Sequence, residues 1–324
     1  MAYNEQVLHR ARLRLKQAKE ECEAEAAARR ADLYAAYPRL EEIERELRRT
    51  MAKTLAAAFR KGEDPTVAIS AIKEKNLALQ RERDWIIEAN DLDETILEPA
   101  VVCPHCKGTG YVGAVMCECL QELCRQEQKA ELSSLLGGRE SFDQFRLDYY
   151  PAEVDPQTGI SPRALMLNTF NHCRRYAKNF SLKSPSLLFS GGPGLGKTFL
   201  SACIARTVAD NGYSVVYDTA ERMFSDFEAV KFGGNSDSTI QKYLSCDLLI
   251  IDDLGTEMIT QFTHAVLYRV VNIRLMDCKP VIISTNLSSD GILQRYTGPI
   301  ASRLLGSYEL CLFLGKDIRR LKKD

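Results

Sequence analysis

Apolar residues in the first part of the chain recur with the period of an α-helix. Residues 1–62 contain no Gly before Gly62 and a single Pro, Pro38. Beyond Pro38 the apolar residues follow one another at steps of three and four, namely Leu40, Ile43, Leu47, Met51 and Leu55. This spacing predicts an amphipathic helix that begins after Pro38, because such residues share one helix face and proline favours the first helical turn.

A second amphipathic helix is predicted from Pro65 to Asn90. Its apolar positions lie on one side and include Ile69, Ile72, Leu79 and Ile86. The sequence GEDP, which ends at Pro65, separates the two helices and offers Asp64 as a candidate N-cap. We interpret residues 1–98 as a helical region that docks a protein partner. The alternative is a solvated helical hairpin that only packs on its neighbours.

From about residue 141 the pattern changes to short apolar runs separated by helical stretches. The runs cover residues 187–189, 214–217, 247–251, 280–284 and 310–314. One helical stretch extends from about Arg163 to Phe180. This alternation predicts an α/β domain over residues 141–324, with a parallel sheet and helices on both faces. Ligands of such sheets bind at the carboxyl ends of the strands, so functional residues are expected just after each run.

The hydrophobic content of the chain is ordinary for a soluble protein. It has 324 residues, of which 45% are hydrophobic, and its 43 basic side chains nearly balance 44 acidic ones. No apolar run approaches the length of a membrane span, and the N-terminus carries no secretory segment. We therefore expect a cytoplasmic protein with no membrane partner. Because the net charge is close to zero, any contact with nucleic acid must use a local basic patch.

Four of the eleven cysteines are clustered in CPHCKGTGYVGAVMCECL. They are Cys103, Cys106, Cys117 and Cys119. Two cysteine pairs around a glycine-rich hairpin predict a small knuckle, over residues 99–135, that binds one structural zinc ion. The second pair is tighter than usual, so His105 or Cys124 is an alternative for one ligand. A redox C-x-x-C and unligated thiols are the other interpretations.

A glycine-rich stretch follows the first run of the α/β domain and matches G-x-x-x-x-G-K-[ST] from Gly191 to Thr198. Glycines allow the backbone to turn so that several N–H groups converge on an anion, and the following helix N-terminus favours negative charge. Lys197 is expected to reach the β- and γ-phosphates of ATP, and Thr198 to hold Mg²⁺. The predicted nucleotide contacts are Gly191, Gly192, Pro193, Gly194, Leu195, Gly196, Lys197, Thr198 and Phe199.

Polar residues follow two further runs at the same expected edge of the sheet. The run DLLIIDD ends in Asp252 and Asp253. Asp252 is predicted to hold the water shell of Mg²⁺, and Asp253 to orient or deprotonate the attacking water, with Glu257 as the alternative for the second role. Asn286 follows the next run in ISTN and is expected to hydrogen-bond the γ-phosphate and that water.

These motifs together resemble those of the AAA+ ATPases. Among these, GGPGLGKT, LLIIDD followed by GTE, and STN followed by a basic IASRL segment are most similar to the DnaC/DnaI helicase loaders and the related IstB transposition helper ATPases. The resemblance covers residues 142–324. It implies that Arg303, in IASRL, is an arginine finger inserted into a neighbouring subunit's nucleotide, and that FDQFRLDYY leads into the adenine pocket. A cysteine knuckle behind a helical region resembles the loader branch.

The resemblance implies an ATPase that loads a replicative hexameric helicase onto DNA. ATP would control self-association into oligomers and the grip on DNA, and hydrolysis would release the loader. Two features differ from the family pattern. Asp253 stands where a glutamate is usual, and the stretch after Arg303 is too short for a full helical lid, so Arg319 or Arg320 would supply a second sensing arginine. A transposition helper, and a nucleotide-gated binding module with little hydrolysis, are the alternatives.

Single-stranded DNA is expected to contact the segment AERMFSDFEAVKFGG, residues 220–234. Its aromatic residues Phe224, Phe227 and Phe232 are candidates for base stacking, with Arg222 and Lys231 near the phosphates. The alternative is a helix that packs its apolar side on the core.

Overall fold

The computed structural model describes residues 3–58, 65–98, 100–136, 140–156, 159–234 and 237–321. The predicted helix break at Gly62 and its N-cap Asp64 lie outside these residues, as do the side chains of Met51, Leu55 and Ile69. Contacts divide the chain into a helical unit, residues 14–117, and a sheet unit, residues 1–13 and 118–324. This division differs from the predicted boundaries after residues 98 and 135. Among the described residues, no helix combines the length and apolar content that a bilayer span requires.

Three long helices account for most of the first part of the chain, which confirms the helical prediction. They are α1 (Glu5–Ala36), α2 (Pro38–Ala58) and α3 (Pro65–Ala89). Pro38 begins α2, as expected for a residue whose missing N–H costs nothing in the first turn. The core of the helical unit consists of Leu33, Leu40, Ile43, Leu79, Ile86 and Ile87. Arg39 joins α2 to α3 through two hydrogen bonds to Glu82, at 2.7 and 2.9 Å.

A two-stranded hairpin follows within the cysteine-rich stretch, formed by β1 (Tyr111–Val112) and β2 (Val115–Met116). The sheet unit contains five further strands: β3 (Ser186–Gly191), β4 (Val215–Thr219), β5 (Leu248–Leu254), β6 (Val281–Thr285) and β7 (Tyr308–Phe313). Their spatial order is β4-β5-β6-β3-β7, and every pair is parallel. The five predicted strands are confirmed, each displaced by a few residues at one or both ends.

Helices cover both faces of this sheet. They are α4 (Glu118–Leu136), α5 (Pro162–Lys178), α6 (Lys197–Asp210), α7 (Ala220–Lys231), α8 (Asp237–Ser245), α9 (Gln261–Met276), α10 (Ser289–Arg295), α11 (Gly298–Gly306) and α12 (Ile318–Leu321). Leu187 and Phe189 belong to the core on one face, and Leu188 belongs to the core on the other. This alternation is the strand period expected for a sheet that is buried on both sides.

Helix α4, most of which lies in the segment predicted as the knuckle, packs on α6 of the sheet unit. Leu132 and Leu136 lie in the core around α6. The buried amide of Gln128 donates to the carbonyl of Tyr213 at 2.8 Å and accepts from the N–H of Val215 at 3.0 Å. Because β4 is an edge strand, Gln128 satisfies a backbone donor that the ladder leaves open.

A fully buried arginine fixes the chain before β5 and β6. Arg274 on α9 is 0% exposed and donates to backbone carbonyls of the two segments that precede these strands. Those acceptors are Tyr243 at 3.0 Å, Cys246 at 3.0 Å, Asp247 at 3.4 Å and Pro280 at 2.7 Å. Planar guanidinium groups suit several carbonyls at once, so Arg274 holds the two central strands in register at their amino ends.

Candidate functional site

The glycine-rich loop joins β3 to α6 and is shaped by two glycines. A Cβ on Gly191 would lie 2.3 Å from the backbone oxygen of Phe313 on the adjacent strand β7, so no larger residue fits. Gly196 has φ of 91° and immediately precedes α6, in the left-handed region that favours glycine. The loop therefore turns sharply from the sheet into the helix N-terminus, as the motif predicts.

Lys197 lies inside this loop with its ammonium group surrounded by oxygen atoms. It is 5% exposed, and Nζ donates to the carbonyls of Gly191 and Gly192, both at 2.7 Å, and to Oδ1 of Asn286 at 2.8 Å. Burial lowers the pKa of Lys197, and the carboxylates of Asp253 and Asp252 oppose that change. The structure thus brings Asn286, at the end of β6, to the loop lysine.

The two aspartates at the end of β5 have different environments. Asp252 is 5% exposed, and its carboxylate accepts hydrogen bonds from the hydroxyls of Tyr217, at 3.0 Å, and Ser284. Asp253 is exposed and has φ of 54°, and the pairing of β5 with β6 is irregular at this point. Although the residue as a whole is exposed, partial desolvation of its carboxyl group and the neighbouring Asp252 raise the pKa of Asp253, whereas Lys197 lowers it. A strained backbone at a strand end is typical of functional sites.

Glu257 is held by its own neighbours. It is 8% exposed, and its carboxylate accepts from the N–H of Gly255 at 2.7 Å and from the hydroxyl of Tyr296 at 2.7 Å. Arg295 lies 3.6 Å from the same carboxylate. Glu257 is not among the residues that line the cavity beside the loop. Of the two candidates for orienting water, Asp253 is the one that faces the cavity.

A cavity of about 440 Å³ opens beside the glycine-rich loop. At one end lie Lys197, Thr198, Asp253, Asn286 and Arg319. Its wall also includes the loop residues from Pro193 to Gly196, with Phe199 and Ala202 from α6. The segment before α5 contributes Gln144, Phe145, Arg146, Tyr149 and Tyr150. The cavity therefore joins a polar end to an aromatic wall, an arrangement that suits a nucleotide.

Aromatic contacts hold the segment FDQFRLDYY against the loop. The hydroxyl of Tyr150 donates to the carbonyl of Leu195 at 2.8 Å, and burial raises the pKa of this tyrosine. Phe145 stacks on Tyr150 and on Phe170. The C-terminal segment adds a backbone bond from Ile318 to the carbonyl of Gly194 at 3.0 Å. Of the two arginines considered after β7, Arg319 lines the cavity and Arg320 does not.

Arg303 lies on α11 and is not among the residues that line this cavity. Its guanidinium donates to Oδ1 of Asn272 at 2.8 and 3.0 Å, to the carbonyl of Pro299 at 3.1 Å and to the hydroxyl of Tyr268 at 3.0 Å. It also lies over the ring of Tyr268, at 4.6 Å. Within its own chain, Arg303 is therefore anchored to α9 and to the carbonyl of Pro299, outside the lining of the cavity.

The four clustered cysteines converge on one point. Each can offer one sulfur, and the sulfurs of Cys103, Cys106, Cys117 and Cys119 lie within 4.8 Å of one another. The N–H of Gly110 donates to the sulfur of Cys106 at 3.3 Å. Neither His105 nor Cys124 belongs to the cluster. Burial raises the pKa of Cys124 to about 11, which favours its thiol form over a thiolate ligand. The donor set fits a tetrahedral zinc site.

The segment proposed for DNA contact is mostly helix α7. Phe224 and Phe227 are 6% and 4% exposed and lie in the core, so the prediction that they offer stacking faces is wrong. They pack on the sheet because they lie on the apolar side of α7. Phe232 is 75% exposed, and the ammonium of Lys231 lies 5.6 Å from its ring and 4.9 Å from that of Phe262.

Two residues that the sequence did not single out contact Asp252 directly, namely Tyr217 and Ser284. Ser284 belongs to the ISTN motif, in which the sequence predicts a functional role for Asn286 alone. Tyr217 ends a predicted apolar run, where an aromatic residue indicates burial and not a hydrogen bond.

Asp253→Asn tests the electrostatics of the site without nucleotide. The raised pKa of Asp253 means that its ionisation opposes folding at neutral pH, and this opposition vanishes as pH falls below the ordinary range of an aspartate. Asparagine tolerates the left-handed backbone. Melting temperatures should therefore be about 1–2 °C higher than wild type at pH 7, a small gain because solvent screens the group, and should converge with wild type near pH 4. A variant less stable than wild type at pH 7 would contradict this assignment.

The chain is similar to several known proteins. Residues 176–298 match the family model of the IstB-like ATP binding protein. The replicative helicase loader DnaC of Buchnera aphidicola subsp. Baizongia pistaciae is 29% identical over 123 residues, 37% of this chain and 50% of that protein. The replicative helicase loader DnaC of Escherichia coli K12 is 30% identical over 122 residues, again 37% and 50%. The matched region thus spans about half the length of these relatives.

Among solved structures, the crystal structure of the DnaC helicase loader is 19% identical, with a TM-score of 0.47, and covers 54% of this chain and 97% of that chain. The parallel strand order and the glycine-rich loop between β3 and α6 are observed directly in this protein. Residues 176–298 therefore resemble the IstB-like ATP binding proteins, and the chain is similar in sequence to replicative helicase loaders of the DnaC type.

Proposed function

We propose that this protein binds ATP beside its glycine-rich loop and uses ATP binding and hydrolysis to load a replicative hexameric helicase onto DNA. ATP binding is supported by one observation: a cavity with an aromatic wall has Lys197, Asn286 and Asp253 together at one end. The similarity to helicase loaders over about half of their length supports the loading part. The helicase and the DNA are proposed partners of this chain.

The polar end of the cavity fits the phosphates. The N–H groups at the start of α6 and the ammonium of Lys197 would bind them, since both attract anions. The hydroxyl of Thr198 and the carboxylate of Asp252 would hold Mg²⁺, whose chemistry there is to neutralise charge on the phosphate oxygens. They fit the ion because Thr198 is exposed in the first helical turn and Asp252 offers carboxylate oxygens that are tied to that turn through the hydroxyls of Tyr217 and Ser201.

Asp253 is our candidate for orienting the attacking water. It faces the cavity, whereas the carboxylate of Glu257 already accepts bonds from Gly255 and Tyr296. Asn286 would hold the γ-phosphate and the water through its amide. The aromatic residues Phe145 and Tyr149 would form the side of the adenine pocket, and Arg319 would contact the phosphates from the C-terminal segment. Glu257 would then act by holding the loop that follows β5.

Helicase loading is tested with the full-length protein, the host's replicative helicase and circular single-stranded DNA coated with single-strand-binding protein. We expect ATP-dependent unwinding of an annealed oligonucleotide, because only loaded helicase can displace it. Lys197→Ala should abolish this stimulation while leaving helicase capture in a pull-down intact. Unwinding that is equally fast without the protein would contradict the proposal.

The match to IstB-like ATP binding proteins favours one second candidate, a transposition helper. The same pull-down separates the two functions when a transposase encoded by the host is offered beside the helicase. Retention of the transposase and not the helicase would favour the helper function. The ATP site would be common to both.

The cysteine cluster is proposed to bind one structural zinc ion. Four thiolates satisfy its tetrahedral geometry, and the backbone bond from Gly110 to Cys106 is the kind of outer contact that orients a ligand sulfur. We expect one zinc per chain by elemental mass spectrometry, and loss of that zinc in Cys103→Ser. Cys278→Ser, which changes an exposed cysteine elsewhere, should keep it. Wild-type protein that contains no zinc after expression in zinc-replete medium would contradict the proposed zinc site.

Single-stranded DNA is proposed to contact the end of α7. The exposed ring of Phe232 offers a stacking face, and Lys231 places a cation between it and Phe262. Replacing Lys231 and Phe232 with alanine should weaken binding of an oligonucleotide about tenfold at fixed salt, because one base loses its stacking partner. The pair Leu182 and Lys183, likewise exposed and adjacent, provides a control double variant. Equal dissociation constants for the two double variants would exclude this segment.

Arg303 is proposed to act on the nucleotide of a neighbouring subunit in an ATP-dependent oligomer. Support comes from its position outside its own cavity and from the anchors Asn272 and Tyr268, which hold the guanidinium at the surface of α11. Arg303→Ala should bind ATP normally and hydrolyse it about 10³-fold more slowly, because transition-state charge loses its partner. Mixing it with Lys197→Ala should restore part of the hydrolysis, since one interface then has an intact loop and an intact arginine.

Asn272→Ala provides the matched control, because it removes the two hydrogen bonds from Arg303 to Asn272 and leaves the guanidinium. It should retain most of the hydrolysis. A purely structural arginine predicts the opposite: both variants lose activity and melt earlier to the same extent, and the mixture stays inactive.

A further inference from the structure

Three neighbouring strands bring three polar side chains together beneath the phosphate loop. Tyr217 lies on β4, Asp252 on β5 and Ser284 on β6, and these strands are adjacent in the sheet. Asp252 and Ser284 lie near the carboxyl ends of their strands and Tyr217 lies in the middle of β4. The exposed fractions of Tyr217, Asp252 and Ser284 are 7%, 5% and 0%. A carboxylate this deeply buried needs hydrogen-bond donors from the protein, because removing its charge from water without them strongly destabilises the fold.

Both oxygens of the Asp252 carboxylate have such a donor. The hydroxyl of Tyr217 lies 3.0 Å from Oδ2, and the hydroxyl of Ser284 contacts Oδ1. Ser284 also accepts from the backbone N–H of Asp253 at 3.0 Å. Each hydroxyl has a single hydrogen, and a charged acceptor takes it in preference to a neutral one. Each carboxylate oxygen therefore has one fixed donor and keeps lone pairs free for a further ligand.

The chain of hydroxyls reaches the helix that follows the loop. Ser201 on α6 lies 3.0 Å from the hydroxyl of Tyr217 and 3.0 Å from the carbonyl of Thr198. Since Tyr217 gives its hydrogen to Asp252, the single hydrogen of Ser201 is shared between two acceptors, the hydroxyl of Tyr217 and the carbonyl of Thr198. Asp252 is thus tied through Tyr217 to the helical turn that carries Thr198.

We infer that Tyr217 and Ser284 are positioning residues that hold the carboxylate of Asp252 for the divalent cation accompanying the nucleotide, an inference that rests on the proposed ATP site. Tyr217 orients Oδ2 relative to α6. Ser284 orients Oδ1 and, through the N–H of Asp253, also supports the left-handed turn that points Asp253 at the cavity. Both act through Asp252, and neither is required to touch the nucleotide.

The test measures cation affinity directly, with Mn²⁺ as the probe, by electron paramagnetic resonance on full-length protein saturated with ADP. Tyr217→Phe and Ser284→Ala should each raise the Mn²⁺ dissociation constant about tenfold, as is typical when an outer-shell partner of a metal ligand is lost. The affinity for ADP in the presence of EDTA should stay unchanged, because the loop and Lys197 are intact.

Matched controls come from two hydroxyls near the amino end of β3, those of Tyr176 on α5 and of Ser186 at the start of the strand. Tyr176 donates to the carbonyl of Pro185 at 2.9 Å, and Ser186 accepts from the N–H of Val281 at 3.0 Å, and both are buried. Tyr176→Phe and Ser186→Ala therefore remove similar hydroxyls at similar cost in stability, and should bind Mn²⁺ as wild type does. A general loosening of the sheet would weaken Mn²⁺ binding in all four variants and would overturn the inference.

Failure of the proposed ATP site and failure of the positioning role give different experimental results. Wild-type protein that binds no ADP would contradict the proposed ATP site itself. Wild-type protein that binds ADP and Mn²⁺, with Tyr217→Phe binding Mn²⁺ equally tightly, would overturn the positioning role alone. If Ser284→Ala melts too early to be assayed, Tyr217→Phe alone tests the positioning role. This variant should stay folded, because phenylalanine fills nearly the same space as tyrosine.

Discussion

A buried ammonium group is the constraint on which the rest of the site depends. Lys197 is almost entirely removed from water, and burial disfavours its charged form. Two loop carbonyls and the amide oxygen of Asn286 surround it, and two carboxylates at the end of β5 favour its charge. Those partners come from three separate elements, so the lysine is satisfied only when β3, β5 and β6 are aligned. The same alignment forms the cavity.

Parallel strand order explains why the charged groups meet. Every strand of the sheet ends at the same edge, and β4, β5, β6 and β3 are consecutive neighbours there. Hydroxyl and carboxylate side chains at these ends are therefore brought within hydrogen-bond distance although they lie far apart in sequence. Arg274 fixes the opposite ends of β5 and β6, which keeps that register. The charged groups at this edge are therefore held in place by hydrogen bonds within the protein itself.

Sequence reasoning succeeded where a local pattern decides the structure. Strand runs, the helices after Pro38 and the turn around Lys197 follow from periodicity and from glycine geometry within a few residues. The sequence does not predict a residue's environment where contacts with residues distant in the chain determine it. Phe224 and Phe227 fit either a binding face or a core face, and only the position of α7 on the sheet separates the two. Likewise, no local signal pairs Tyr217 with Asp252, or assigns α4 to the sheet through Gln128.

The most direct test of the account is the affinity of Lys197→Ala for Mg²⁺-ATP, measured by calorimetry beside wild type and the control Lys183→Ala, which changes an exposed lysine. Loss of the buried ammonium should weaken binding about 100-fold, because charged hydrogen bonds to the phosphates are lost. The control should bind as wild type does, and all three proteins should show cooperative melting. A folded Lys197→Ala protein that binds Mg²⁺-ATP as tightly as wild type would contradict the account.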